Sequence, residues 1–91
     1  MLSEQHRFEI GERIRTARNK IGLSQMEFAE SINISVNFLS EIENGKKGFS
    51  YETLYNICKI HGLSADYILF GTTPKDRPHE QLLEISRSMS C

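Results

Sequence analysis

The chain predicts an all-α fold, five short helices in one domain followed by an additional C-terminal helix or tail. Three observations predict it. Serines recur just ahead of apolar stripes, at Ser24, Ser35, Ser50 and Ser64, each able to accept a hydrogen bond from the free N–H groups of a helix start. Stop residues stand at the other ends, Gly22, Asn44-Gly45 and Gly62, where a helix terminates at least cost. Between them, apolar residues return at three- and four-residue steps.

The first helix is expected from Glu9, because Ile10, Ile14, Ala17 and Ile21 fall on one face at i, i+4, i+7 and i+11. Residues 1–8 carry little pattern and read as a lead-in, with Phe8 placed to pack on the domain. Gly22 closes this helix, and Leu23 is set to staple against Phe28. Ser24 and Glu27 then form a capping box, S-Q-M-E, for a second helix that turns Met26, Phe28, Ala29 and Ile32 inward. Its pattern breaks at Asn33, a residue that tolerates the left-handed conformation of a tight turn.

A third helix, about residues 35–43, starts at Ser35 and turns Leu39 and Ile42 inward at i, i+3. Phe38 reads as core edge. The outward positions are Ser35, Val36, Asn37, Ser40 and Glu41. Two capped helices of this length, with Ala29 permitting close approach, describe a helix-turn-helix. After Lys46-Lys47-Gly48, Phe49 is expected to tuck into the core. Ser50 caps a fourth helix, Tyr51 to His61, whose stripe is Leu54, Ile57, Cys58 and His61. Ser64 opens a short fifth, with Tyr67, Ile68 and Leu69.

Residues 72–78, TTPKDRP, hold both prolines and read as a linker. Residues 79–91 return to helical spacing, with Leu82, Ile85 and Met89 at i, i+3 and i+7 and Leu83 alongside. So few apolar positions form no core alone. The segment either packs on its own domain, pairs with another subunit or frays, and pairing with another subunit is the favoured reading.

Composition bounds the function. Ninety-one residues with 38% hydrophobic and 25% charged suit one small globular domain. No run is long enough to span a bilayer, and the charged N-terminus does not read as a signal peptide, so a cytoplasmic location is expected. Cys58 and Cys91 are too few for a disulfide framework, and with His6, His61 and His79 they lack metal-ligand spacing. No metal and no cofactor are expected. No paired nucleophile and base or phosphate loop is visible, which argues against an enzyme.

Several words of the sequence carry a resemblance. Gly22-Leu23-Ser24-Gln25, Phe28-Ala29, Leu39-Ser40-Glu41-Ile42-Glu43-Asn44-Gly45-Lys46, Ser50-Tyr51-Glu52-Thr53-Leu54 and Gly62-Leu63-Ser64-Ala65-Asp66-Tyr67 resemble the Cro/CI-type (XRE) helix-turn-helix family of phage repressors and bacterial transcriptional regulators. The match runs from about Ile10 to Gly71, within a domain taken as 9–71. It implies a lambda-repressor-like domain that binds double-stranded DNA as a homodimer, more often as a repressor. The resemblance pairs Arg18 with Glu43, locking the first helix to the third. The competing reading leaves Arg18 exposed and free to reach phosphate. Gln25 resembles the family's glutamine that touches phosphate and braces the third helix. His61 departs from the family, which has a large apolar residue there, and reads as a satisfied structural side chain.

In such a domain the third helix reads base edges, through Ser35, Val36, Asn37, Ser40 and Glu41. Asn37 suits adenine, Val36 a thymine methyl and Glu41 cytosine N4; no Arg or Lys is present for guanine, so A·T-rich contacts are expected. Ser24, Gln25, Asn44, Lys46 and Lys47 would hold phosphates. The spare apolar surfaces, Tyr67, Ile68 and Phe70 with Leu82, Ile85 and Met89, would form the dimer interface.

Charge complicates this picture. The net charge is −1, and residues 1–71 hold eight Lys/Arg against nine Asp/Glu. The basic residues cluster, however, with Arg13, Arg15, Arg18 and Lys20 in the first helix and Lys46-Lys47 after the third. Weak non-specific affinity follows from this balance. A second class of function fits the slight acidity and the linker-plus-helix tail, namely an antitoxin-like interaction module that binds a partner through residues 72–91 and DNA only secondarily.

Overall fold

The computed structural model describes residues 3–72, which form five helices: α1 (Glu4–Ile21), α2 (Gln25–Ser31), α3 (Val36–Glu43), α4 (Tyr51–His61) and α5 (Ala65–Phe70). Each begins on a serine. Ser3, Ser24, Ser35, Ser50 and Ser64 accept from the backbone N–H three residues on. The capping box is complete, since Glu27 Oε1 also accepts from the Ser24 N–H at 2.9 Å. Asn33 takes the left-handed conformation, φ 63°, and turns α2 into α3.

Three expectations are corrected. First, α1 starts at Glu4 rather than Glu9, so most of the expected lead-in is helix. Its extra turns meet the end of α3. Gly45, at φ +74°, lies so close to Phe8 that an added Cβ would sit 2.6 Å from the Phe8 Cα. Second, Met26 is 69% exposed. Phe28, Ala29 and Ile32 define the inward face of α2, and a residue two before Phe28 points the other way at 100° per step. Third, Ile21 is exposed, since the last residue of α1 overruns the core although it keeps the phase.

The core joins Ile10 and Ile14 of α1 to Phe28 and Ile32 of the α2 region, Leu39 and Ile42 of α3, Ile57 of α4 and Ile68 of α5. Each such fully buried side chain contributes about 1.5–3 kcal/mol. Phe38, Phe49 and Leu23 are half-buried against this cluster. His61 stacks on Phe28, ring centroids 4.5 Å apart and 14° from parallel. Its Nε2 lies 2.8 Å from Ser31 Oγ, whose hydroxyl donates to the Phe28 carbonyl at 2.6 Å, so the imidazole is the donor to Ser31. His61 thus both packs on the core and hydrogen-bonds at the end of α4. Burial lowers its pKa from 6.5 and raises that of the half-buried Cys58 thiol.

Candidate nucleic-acid interface

The candidate site is the outward edge of α3 together with what holds that helix from behind. Leu39 and Ile42 are buried at 0% and 1% exposure, whereas Val36 and Asn37 are exposed and Ser40 and Glu41 half-exposed. With 3.6 residues per turn, inward pinning at 39 and 42 leaves 36, 37, 40 and 41 to one side. Ser35 caps the helix, its Oγ accepting from the Phe38 N–H, so its hydroxyl hydrogen remains available to an acceptor outside.

Behind the helix lies a buried carboxylate. Glu43 has no exposed surface and ends α3, where the helix dipole is already negative, so it needs strong donors. Arg18 supplies two, with Nε to Oε2 at 2.7 Å and Nη2 to Oε1 at 3.1 Å, a fork-on-fork pair. Gln25 Nε2 donates to Oε1 at 2.9 Å, and Arg15 Nε stands 3.5 Å from the same oxygen. Arg18 Nη1 also donates to the Leu23 carbonyl at 2.9 Å, tying the α1–α2 turn into the network. One carboxylate therefore fixes α1, α2 and α3 together.

The expected Arg18–Glu43 pair is present, and the exposed-Arg18 alternative is not. Two other participants escape a sequence reading. Arg15, expected in a basic surface cluster, bends its Nη2 to the Glu43 carbonyl at 3.2 Å and to Asn44 Oδ1 at 2.7 Å. Gly11 lets the helices touch: an added Cβ would lie 2.2 Å from the Ile42 carbonyl oxygen. Its signal was visible, because Gly11, Ile14 and Arg18 share one face of α1.

Three of the four basic residues in that α1 cluster are consequently bonded within the molecule. Besides Arg15 and Arg18, Arg13 donates to the Ile68 carbonyl at 3.1 Å, and Lys20 stays exposed. Around α3 the expected phosphate-binding residues Ser24, Asn44, Lys46 and Lys47 are exposed, and Gln25 is half-buried. Gln25 gives one amide hydrogen to Glu43 and keeps the other. Lys47 Nζ lies 3.7 Å from Glu41 Oε1, a surface pair worth about 0–1 kcal/mol that a phosphate can displace.

One further expectation is corrected. Ile68, assigned to a dimer interface, is 0% exposed and belongs to the protomer's own core. Tyr67 is half-buried and Phe70 exposed. Leu82, Ile85, Met89 and the remainder of 73–91 lie outside the described residues. Among the described residues no cluster of side chains could hold a metal ion, and no helix is long and apolar enough to cross a membrane.

Comparison with known proteins finds the same architecture. The helix-turn-helix domain profile matches residues 11–73. The chain is 37% identical over 60 residues to the HTH-type transcriptional regulator ImmR of Bacillus subtilis, covering 66% of this chain and 47% of ImmR. It is 40% identical over 55 residues to the antitoxin PezA of Streptococcus pneumoniae, covering 60% and 35%. A crystal structure of the clp gene regulator ClgR of C. glutamicum superposes with a TM-score of 0.65 at 35% identity, over 69% of this chain and 81% of that one. The chain spans about half the length of the first curated relatives it matches.

Proposed function

The chain belongs to the helix-turn-helix family of XRE type, and from that premise we propose that it is a sequence-specific DNA-binding transcriptional regulator, a repressor acting as a homodimer. Its α3 enters the major groove of double-stranded DNA while α2 crosses the backbone. Ser35, Val36, Asn37, Ser40 and Glu41 read base edges. Ser24, Gln25, Asn44, Lys46 and Lys47 hold phosphates on either side. The protein works in the cytoplasm, as a domain at 9–71, a linker at 72–78 and a terminal segment at 79–91. It is a binding protein rather than an enzyme.

One observation carries the reading: the Val36–Glu41 edge of α3 faces solvent while Leu39, Ile42 and Glu43 are gripped from behind. A helix that must enter a groove needs a free edge and a rigid back. Gln25 joins the two requirements, since it braces Glu43 and starts the helix that would lie on phosphate.

A single domain contacts few bases, so two copies on two half-sites are needed. The α5 end, with exposed Phe70 beside Tyr67, is the surface proposed for pairing, with Leu82, Ile85 and Met89 available to extend it. Selection from a random duplex pool tests the whole reading. The expected result is a site of two half-sites roughly 10 base pairs apart with A·T pairs under α3. A guanine-rich consensus under α3, or no enrichment, contradicts it.

The similarity to an antitoxin supports a second reading, in which a protein partner binds residues 72–91 and DNA contact is secondary. That reading expects weak or absent enrichment in the same selection.

A further inference from the structure

Ser40 stands half-exposed on the outward edge of α3, and a serine hydroxyl can either donate to a base or accept from one. Which it does depends on how its hydrogen and its lone pairs are already engaged. The residue that decides this is Asn44, one turn further on, where α3 ends.

Arg15 fixes the Asn44 amide. Its Nη2 lies 2.7 Å from Asn44 Oδ1. A guanidinium has hydrogens to give and no lone pair to offer, so the atom that faces it is the amide oxygen. The charged donor also polarises the amide and strengthens its N–H groups as donors. Arg15 is itself held in place. The same Nη2 reaches the Glu43 carbonyl at 3.2 Å, and Nε stands 3.5 Å from the buried Glu43 Oε1.

With its oxygen turned to Arg15, the Asn44 amide presents Nδ2 to Ser40, 3.5 Å from Oγ. That distance is long for a hydrogen bond, but the identity of the facing atom settles the polarity. An amide nitrogen accepts nothing, so Ser40 meets Asn44 with a lone pair and keeps its hydrogen. Among the described residues no group accepts that hydrogen.

We infer that Arg15 and Asn44 are positioning residues that make Ser40 a hydrogen-bond donor, selecting a base that offers it an acceptor in the major groove. Guanine offers N7 and O6 there, adenine N7 and thymine O4, whereas cytosine shows only its amino donor. Cytosine is therefore the base disfavoured under Ser40. The inference rests on the proposed function for its base and on the amide geometry for its sign. Ser35 has the same polarity, since its Oγ accepts from the Phe38 N–H at 3.0 Å.

The test reverses the amide. Asn44→Asp keeps an oxygen for Arg15 and puts a second oxygen where Nδ2 stood. The Ser40 hydrogen then turns to the carboxylate, and its lone pairs turn to the base. Randomised duplexes bound by the full wild-type chain, Ser40→Ala and Asn44→Asp are sequenced, and base preferences are compared within each protein. The uniform loss that an added negative charge causes beside phosphate drops out of that comparison. Ser40→Ala locates the base pair, as the position where preference flattens. There the wild type should bind cytosine roughly two- to tenfold less well than the other bases, and Asn44→Asp should remove or invert this preference. Asn44→Ala, which frees the hydroxyl to turn, should weaken it without inverting it, and serves if the aspartate variant does not unfold cooperatively in urea. No flattened position in Ser40→Ala, cytosine favoured by the wild type, or a preference unchanged in the Asn44 variants overturns the inference. No enrichment by the wild type contradicts the proposed function and removes the base contact with it. In the protein without DNA, the Asn44 side-chain amide protons should show magnetisation transfer to the Ser40 β protons, and its absence overturns the amide orientation whatever the duplexes show.

Discussion

At the C-terminal end of α3, Glu43 has no exposed surface and is held by Arg18, Gln25 and Arg15. Two turns earlier on the same helix, Val36 and Asn37 face outward. Eight residues thus contain a buried lock and an open edge. The difference teaches how a short helix can be both rigid and available. An isolated helix of this length is unstable in water, so its order comes from tertiary contacts. Those contacts are gathered on one side and at one end, where they do not use up the groups that would meet a ligand. Substitutions at the lock should therefore act on folding, and substitutions on the edge on binding.

The largest effect is expected at the lock itself. Glu43→Ala removes the acceptor and leaves Arg18 buried without its carboxylate, which should cost about 3–5 kcal/mol in urea unfolding. A loss below about 1 kcal/mol would mean that the network adds little beyond the apolar core. Next comes the close approach behind it. Gly11→Ala sets a methyl against the Ile42 carbonyl, and the α1–α3 seam must open, at a cost of about 1–3 kcal/mol. Unchanged stability would show that the two helices have freedom to part.

The rim of the edge should behave differently. Lys46→Ala with Lys47→Ala should leave unfolding unchanged and weaken binding to every duplex. The slope of log affinity against log salt should become shallower by roughly 1–2. An unchanged slope would place the phosphate contacts elsewhere. The smallest effect belongs to His61. Its folded pKa is depressed by burial, so the unfolded chain binds the proton more readily, and stability rises with pH through the window below 6.5 and is lost as pH falls. Comparing urea midpoints near pH 5 and pH 7 for the wild type and His61→Gln should show the variant's dependence reduced by this contribution. Identical pH dependence would remove it.

Much of this organisation could be read from local chemistry. The serine caps, the Ser24–Glu27 box and the left-handed Asn33 depend on residues within a turn of one another, and the structure has all of them. The inward stripe of α3 was equally legible, because Leu39 and Ile42 leave one choice of face. What failed depended on distant parts of the chain. The first turns of α1 lack an apolar stripe and are held partly by the approach of Phe8 to Gly45, across the fold. Arg15 looks like surface charge until Glu43 and Asn44 are brought beside it. Met26 reads as inward by its apolar character, against its helical phase, and is exposed. Ile68 reads as spare surface because nothing local tells a core position on a six-residue helix from an interface.

The separation of lock and edge is tested most directly by one substitution read in two ways. Asn37→Ala should lower affinity for the selected duplex by about 1–3 kcal/mol. It should leave the urea midpoint within about 0.5 kcal/mol of wild type. Unaltered affinity, or a loss of stability as large as the loss of binding, would contradict the account.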